Sequence, residues 1–153
     1  RALKEHVEKH GPDFRHMIIP QAHPSLLGPT CKGRARFTGA TMGDTTFMNG
    51  ASFRQGANFA DSTFCDQAFL GHSTFGANTS FRGAVFGGGV DFQDTIFDGT
   101  VDFRGAQFQK SGFEIDGAAD FLGARFRGDA LFCRSVFCDA AHLTATFKGK
   151  VDL

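Results

Sequence analysis

"FRGAVFGGGVDFQDTIFDGTVDFRGAQF", residues 81–108, places a Phe every five or six residues. A small or β-branched residue stands two before each. Such spacing fits neither the 3.6-residue period of a helix nor the plain alternation of a long strand. Large and small side chains two apart point the same way in extended backbone. A unit of five or six then needs a corner. Gly lies two after the large residue at 39, 83, 88, 99, 105, 123, 128 and 149, and Gly tolerates the positive φ of tight corners. Each unit therefore reads as a short straight side followed by a turn.

The pattern extends in both directions. Taking the large apolar residue as the centre of each unit gives 37, 42, 47, 53, 59, 64, 69, 75, 81, 86, 92, 97, 103, 108, 113, 121, 126, 132, 137, 143, 147 and 153. All are Phe except Met42, Leu143 and Leu153. The residue two before is Ala, Ser, Thr or Val throughout, with Gln67 the one exception. Grouped by fours, the centres form columns: Phe37, Phe59, Phe81, Phe103, Phe126 and Phe147; then Met42, Phe64, Phe86, Phe108, Phe132 and Leu153; then Phe47, Phe69, Phe92, Phe113 and Phe137; then Phe53, Phe75, Phe97, Phe121 and Leu143. Nearly every interval before residue 108 is 22 residues. The expectation is a four-sided coil with these rings stacked inside it, rising roughly 4.8 Å per coil to a filled rod on the order of 26 Å long. Glu114–Gly117 are expected to add about two residues to one coil as a bulge, and 143–147 is one residue short.

Units such as "AADFLGARF" and "GVDFQDTIF" resemble the pentapeptide-repeat family, whose unit is A-[D/N]-[L/F]-x-x, and the resemblance covers residues 35–153. It implies an all-β fold, a right-handed quadrilateral β-helix, in agreement with four columns of about 22 residues. The three-sided left-handed hexapeptide β-helix is a poorer fit. It wants strict six-residue spacing and aliphatic corners, whereas this chain mixes five and six and stacks Phe.

Residues 1–36 lack the repeat and form a separate segment from the β-helix at 37–153. "ALKEHVEKH" predicts a short helix that Gly11-Pro12 stops, and Pro20, Pro24 and Pro29 keep the remainder of the arm extended. The apolar groups Met17, Ile18 and Ile19, with Leu26 and Leu27, need burial: they cap the first coil, dock on another protein, or both. This arm carries seven Lys/Arg against three Asp/Glu, and the rest of the chain nine against thirteen. The whole is neutral, 16 against 16, so bulk attraction to nucleic acid or anionic membrane is not implied. No apolar run approaches the ~20 residues of a membrane span. Cys31, Cys65, Cys133 and Cys138 form no C-x-x-C pair, which reads as free thiols in a reducing compartment, cytoplasm or organelle interior. A removed organellar presequence and a trimmed terminus both account for a chain that begins at Arg1.

No catalytic residue, metal site or cofactor is expected. His6 and His10 share a helix face at metal-ligating spacing, but "HVEKH" supplies no third ligand. Cys133, Cys138 and His142 sit on successive sides and point outward. "FGGGVDF" belongs to the repeat rather than to a phosphate-binding strand–helix turn, and a filled rod offers no concave pocket for convergent nucleophile and base. Outward positions carry more information. One after each centre of the first column come Arg82, Arg104, Arg127 and Lys148, predicted to stack as a cationic ladder that Asp102 and Asp129 pair with locally or an anionic partner neutralises. On the opposite side Asp91, Asp94, Glu114, Asp116 and Asp139 gather, with Met48 and Leu70 predicted to face outward below them. The expected function is a non-enzymatic structural protein, a rigid rod that docks between or bridges subunits of a larger assembly through its arm and flat faces. The family resemblance implies an alternative, a DNA mimic that binds DNA gyrase, and the ladder a second, direct contact with nucleic acid.

Overall fold

In the computed structural model, residues 2–20, 31, 33–110 and 118–153 are described. After one helix, α1 (Ala2–His10), every element is a two-residue strand, and these strands pair in parallel into four sheets that wall a continuous coil. The register sets which residues share a face. Face A stacks Arg36, Asn58, Ser80, Asp102, Leu131 and Asp152. Face B stacks Ile19, Met42, Phe64, Phe86, Phe108 and Phe137. Face C stacks Phe47, Phe69, Asp91, Asp120 and His142, and face D Phe53, Phe75, Phe97, Phe126 and Phe147.

The interior is a set of ring columns. On face A, Phe14, Phe37, Phe59, Phe81, Phe103 and Phe132 stack at 4.6–5.1 Å and within 13° of parallel. Rings of adjacent columns meet edge to face, as Phe103 does with Phe92 and Phe121 at 5.7 and 5.8 Å. Both geometries are those the aromatic quadrupole favours. The small residue beside a ring is Ala or Val, or a Ser or Thr whose hydroxyl can reach a carbonyl: Ser62 donates to Phe59 O at 2.7 Å and Thr79 to Gly76 O at 2.8 Å. That satisfaction lets a hydroxyl stand in for a methyl inside the core.

Corners explain the mixed spacing. From Phe37 to Phe108 the sides alternate, five residues from face A to B (Phe37 to Met42), six from B to C (Met42 to Met48), five from C to D (Met48 to Phe53), six from D to A (Phe53 to Phe59). They do so again from Phe121 to Leu143, with four from there to Phe147. After a five-residue side's centre, the second residue takes positive φ: Gly39, Asp61, Gly83, Gly105 and Arg134 on face A, Gly50, His72, Asp94 and Gly123 on face C. After a six-residue side's centre positive φ, where it occurs, falls on the third residue, as at Gly56, Asn78 and Gly89. Arg134 is out of place in this set. Its φ of 62° is costly for a residue that lacks the local hydrogen bonding of Asn or Asp. Arg134→Gly should stabilise the rod by about 1 kcal/mol, read as a higher urea midpoint by circular dichroism.

Three expectations need correction. On face C the inward centres are Met48 and Leu70, both 0% exposed, while Phe47 points outward and is 41% exposed. Phe69 is half-buried on the same outer surface and stacks on Phe47 at 5.4 Å. With Leu70 as centre the residue two before is Ala68, so Gln67 is no exception. Second, the coil spanning 111–117 is longer than predicted. Val90 pairs with Ala119, 29 residues on, where Ala68 pairs with Val90 at 22, an excess of seven rather than two. Third, every centre after Phe108 therefore lies one face earlier than its predicted column. Phe121 stacks on Phe92, Phe126 on Phe97, Phe132 on Phe103 and Phe137 on Phe108. Phe113, Glu114 and Asp116 lie outside the described residues. Phe137 and Phe147 pack on the core only half-buried.

The arm is continuous with the rod. Phe14 stacks on Phe37 at 4.9 Å, Asp13 bridges to Arg36, and β1 (Ile18–Ile19) extends face B beneath Met42 with Ile19 buried. Met17 packs partly buried against the core, and Ile18 is 74% exposed. Leu26 and Leu27 lie outside the described residues. Of the two roles expected for these apolar groups, Phe14 and Ile19 carry out the first, covering the rings and strand edges of the first full coil.

Candidate docking surface

An inward Phe places the residues on either side of it on the outer surface, and the tripeptide decides whether charge is left over. In Asp102-Phe103-Arg104, the Arg104 guanidinium grips Asp102 through two hydrogen bonds, Nε to Oδ1 at 3.0 Å and Nη2 to Oδ2 at 2.8 Å. Burial pushes the Asp102 carboxyl up, but these bonds and the Arg104 N–H outweigh it and the net shift is downward. Asp13-Phe14-Arg15 repeats the fork at 2.9 and 2.7 Å, with Arg36 at 3.6 Å from Asp13. Its hydrogen bond from Arg15 holds the Asp13 carboxyl down at about 2. Because that folded-state value lies below the unfolded value near 3.9, the stabilisation is present above about pH 4 and is lost as pH falls through about 2. The urea midpoint should drop over that window, and less in Asp13→Asn than in the parent.

The corrected register dissolves the predicted ladder. Arg82 and Arg104 do share face A, one coil apart, but the residue that continues their column is Cys133. Arg127 and Lys148 follow Phe126 and Phe147 on face D. Asp102 pairs with Arg104 as expected, whereas Asp129 accepts Lys150 N at 2.8 Å and the partner of Arg127 is Asp98 at 2.6 Å. Cys65 and Cys138 are exposed, Cys133 is half-exposed and Cys31 is buried. Among the described residues no group of three or more His, Cys, Asp or Glu could hold a metal. His6 instead contacts the Asp13 carbonyl and lies 5.6 Å from the Phe14 ring.

Face C differs from the others. Its outward column runs Phe47, Phe69, Asp91, Asp120, His142, and its Phe-centred units read Asp91-Phe92-Gln93 and Asp120-Phe121-Leu122, with no Arg in the gripping place. Asp91 accepts only Gln93 N at 2.7 Å. Asp120, 6% exposed, accepts Leu122 N at 2.9 Å and Gln93 Nε2 at 2.6 Å, with His142 at 4.0 Å. Burial first, then the neighbouring carboxylates Asp120 and Asp94, push the Asp91 carboxyl up against the pull of the Gln93 N–H and His72. Two carboxylates face each other across adjacent strands, an unfavourable arrangement, directly above two stacked outward rings. The predicted acidic side is thus real at Asp91 and Asp94, but its apolar part is Phe47 and Phe69, not Met48 and Leu70. The small-residue rule carried that signal at one level: Ala68 stands two before Leu70 where Gln67 stands two before Phe69, whereas Thr45 and Thr46 fit Phe47 and Met48 equally.

Four parallel sheets walling a coil of 22 residues around stacked rings define a four-sided β-solenoid. Within it, residues 65–107 match the family model described as pentapeptide repeats (9 copies). No curated protein matches the chain. No helix among the described residues is long and apolar enough to cross a membrane.

Proposed function

We propose that this protein is a non-enzymatic docking rod, a rigid β-helix that fits between or bridges subunits of a larger assembly. The observation that carries this reading is the outward Phe47–Phe69 pair. A repeat that turns its rings inward on every other face leaves two of them stacked on the surface, where only a partner would remove them from water. The filled interior supports the same reading, because buried side chains between stacked rings leave no room for substrate. Depressions on the described surface include one at the arm, lined by His6, His10, Asp13 and Arg15–Met17, and a furrow between Arg82, Arg104 and Arg134.

The test is affinity purification of the tagged protein from its native source at moderate salt, with the eluate sized and its components identified. Recovery in a stoichiometric complex that Phe47→Ser with Phe69→Ser abolishes, at unchanged melting temperature, is the expected result. Recovery as a free monomer or dimer would overturn the reading.

A further inference from the structure

We infer that the partner segment received by face C is basic and apolar in sequence, with an Arg or Lys placed at Asp91 and Asp94 and an adjacent apolar side chain on the Phe47–Phe69 rings. This rests on the docking reading above and adds the chemistry of what docks.

The argument comes from comparing units of the same build. Asp13 and Asp102 stand before an inward Phe and are each gripped by the Arg after it. Asp91 and Asp120 stand in the same place before Phe92 and Phe121, in the same backbone geometry, and the following positions hold Gln93 and Leu122. Asp120 is closed off, 6% exposed with its two oxygens taken by Leu122 N and Gln93 Nε2, but Asp91 presents a carboxylate that a guanidinium grips elsewhere on this rod, with the guanidinium missing. The charged neighbours do not supply it. His72 lies 3.8 Å from Asp94 and His142 4.0 Å from Asp120, and an imidazole cannot close the two-bond fork of a guanidinium. The face C strands and their corners, residues 45–50, 67–72, 89–94, 118–123 and 140–145, contain no Lys or Arg.

Position adds to charge. The four outward residues Phe47, Phe69, Asp91 and Asp120 follow one another in register, so the apolar half and the anionic half of the face meet at the Phe69–Asp91 step. A cation seated at Asp91 also lies beside the exposed surface of a ring, where cation–π attraction adds to the ion pair. An arginine matches both demands better than a lysine, since its planar fork binds carboxylate with two bonds and lies flat on an aromatic face. A neutral apolar partner would bury Asp91 without compensation, and an acidic one would add to the repulsion already present. The asymmetry thus selects partner sign as well as apolarity.

The experiment uses the full chain and a fluorescein-labelled peptide, Leu-Gly-Leu-Gly-Arg-Gly-Arg, with the same peptide carrying Glu for Arg as comparison, read by anisotropy at low and moderate salt. The expected result is that the Arg peptide binds about tenfold or more tightly than the Glu peptide, weakened about tenfold by Asp91→Asn with Asp94→Asn. Phe69→Ser should weaken it at all salt concentrations, the Asp variants chiefly at low salt. Asp98→Asn, on face D, should leave binding unchanged. Equal binding of the two peptides, or binding indifferent to the Asp91 and Asp94 changes, would overturn the inference. So would self-association of the protein alone that the same two changes abolish, which would assign the face to a second copy. The docking reading fails separately, on recovery of the native protein without a complex. A complex retained by the Asp91 and Asp94 variant but lost with Phe47 and Phe69 would keep that reading and sink this inference.

Discussion

Phe103→Ala should be among the most damaging single truncations in the rod, costing about 3–5 kcal/mol. The ring is fully buried and stacks on Phe81 at 5.1 Å and Phe132 at 5.0 Å, while its edges meet Phe92, Phe97 and Phe121. Removing it opens a cavity and breaks the column at one level. In a solenoid each coil touches only its neighbours, so stability is close to a sum of coil and interface terms. The loss should therefore uncouple the two parts of the rod as well as lower the midpoint. With no Trp or Tyr in the chain, the check is urea unfolding followed by far-UV circular dichroism together with amide hydrogen exchange. A broadened transition, with protection lost first in coils beyond Phe103, is the expected outcome. A sharp transition at the parent's midpoint would show that the column does not hold the coils together.

The second large effect is expected from Gly128→Ala, which adds one carbon. A Cβ there would collide with the Gly99 carbonyl carbon and lie 2.5 Å from Thr100 N, both backbone atoms of the coil below. Gly128 has no need of positive φ; the demand is space, because main-chain hydrogen bonds such as Arg127 N to Phe97 O at 2.9 Å hold successive coils at a fixed separation. Relief requires prising two coils apart at that corner, at a cost of about 2–3 kcal/mol. Gly105→Ala makes the contrast. Its φ is +68° and nothing lies within 4 Å of the added carbon, so only backbone strain of about 1–2 kcal/mol is at issue. Should thermal melts show Gly128→Ala no more destabilised than Gly105→Ala, tight coil spacing at the corner would be refuted.

These two glycines also show where the sequence could be read and where it could not. Both stand two after a Phe, and nothing in the string separates a corner that needs a left-handed residue from one that needs a missing side chain. That difference comes from the five/six alternation of sides. The repeat itself, its four columns and its ring-filled interior were legible because a Phe with a small residue two before it recurs at one interval. Face C was misread because Phe47-Met48 and Phe69-Leu70 are both pairs of large apolar residues, and hydrophobicity alone does not choose which points inward. Ala68, against Gln67, does choose for the second pair; Thr45 and Thr46 leave the first open. Beyond Phe108 the reading slipped by a face because Phe113 lies within a coil seven residues longer than the others and matches the unit well enough to be counted as a centre. The slip cost the site more than the fold. Shifting Arg127 and Lys148 onto face A created a cationic ladder that the register takes apart, and it hid the contrast between Asp-Phe-Arg and Asp-Phe-Gln units.

The longer coil has a consequence for how such a rod changes over generations. Val90 and Ala119 pair across 29 residues rather than 22, yet Phe92 and Phe121 stack at 5.1 Å as the rings of shorter coils do. Length in that coil is decoupled from the column. New sequence can be grafted there, varied or deleted without renegotiating the interior, so the rod behaves as a ruled shaft on which an attachment can be changed while its height and compass bearing stay the same.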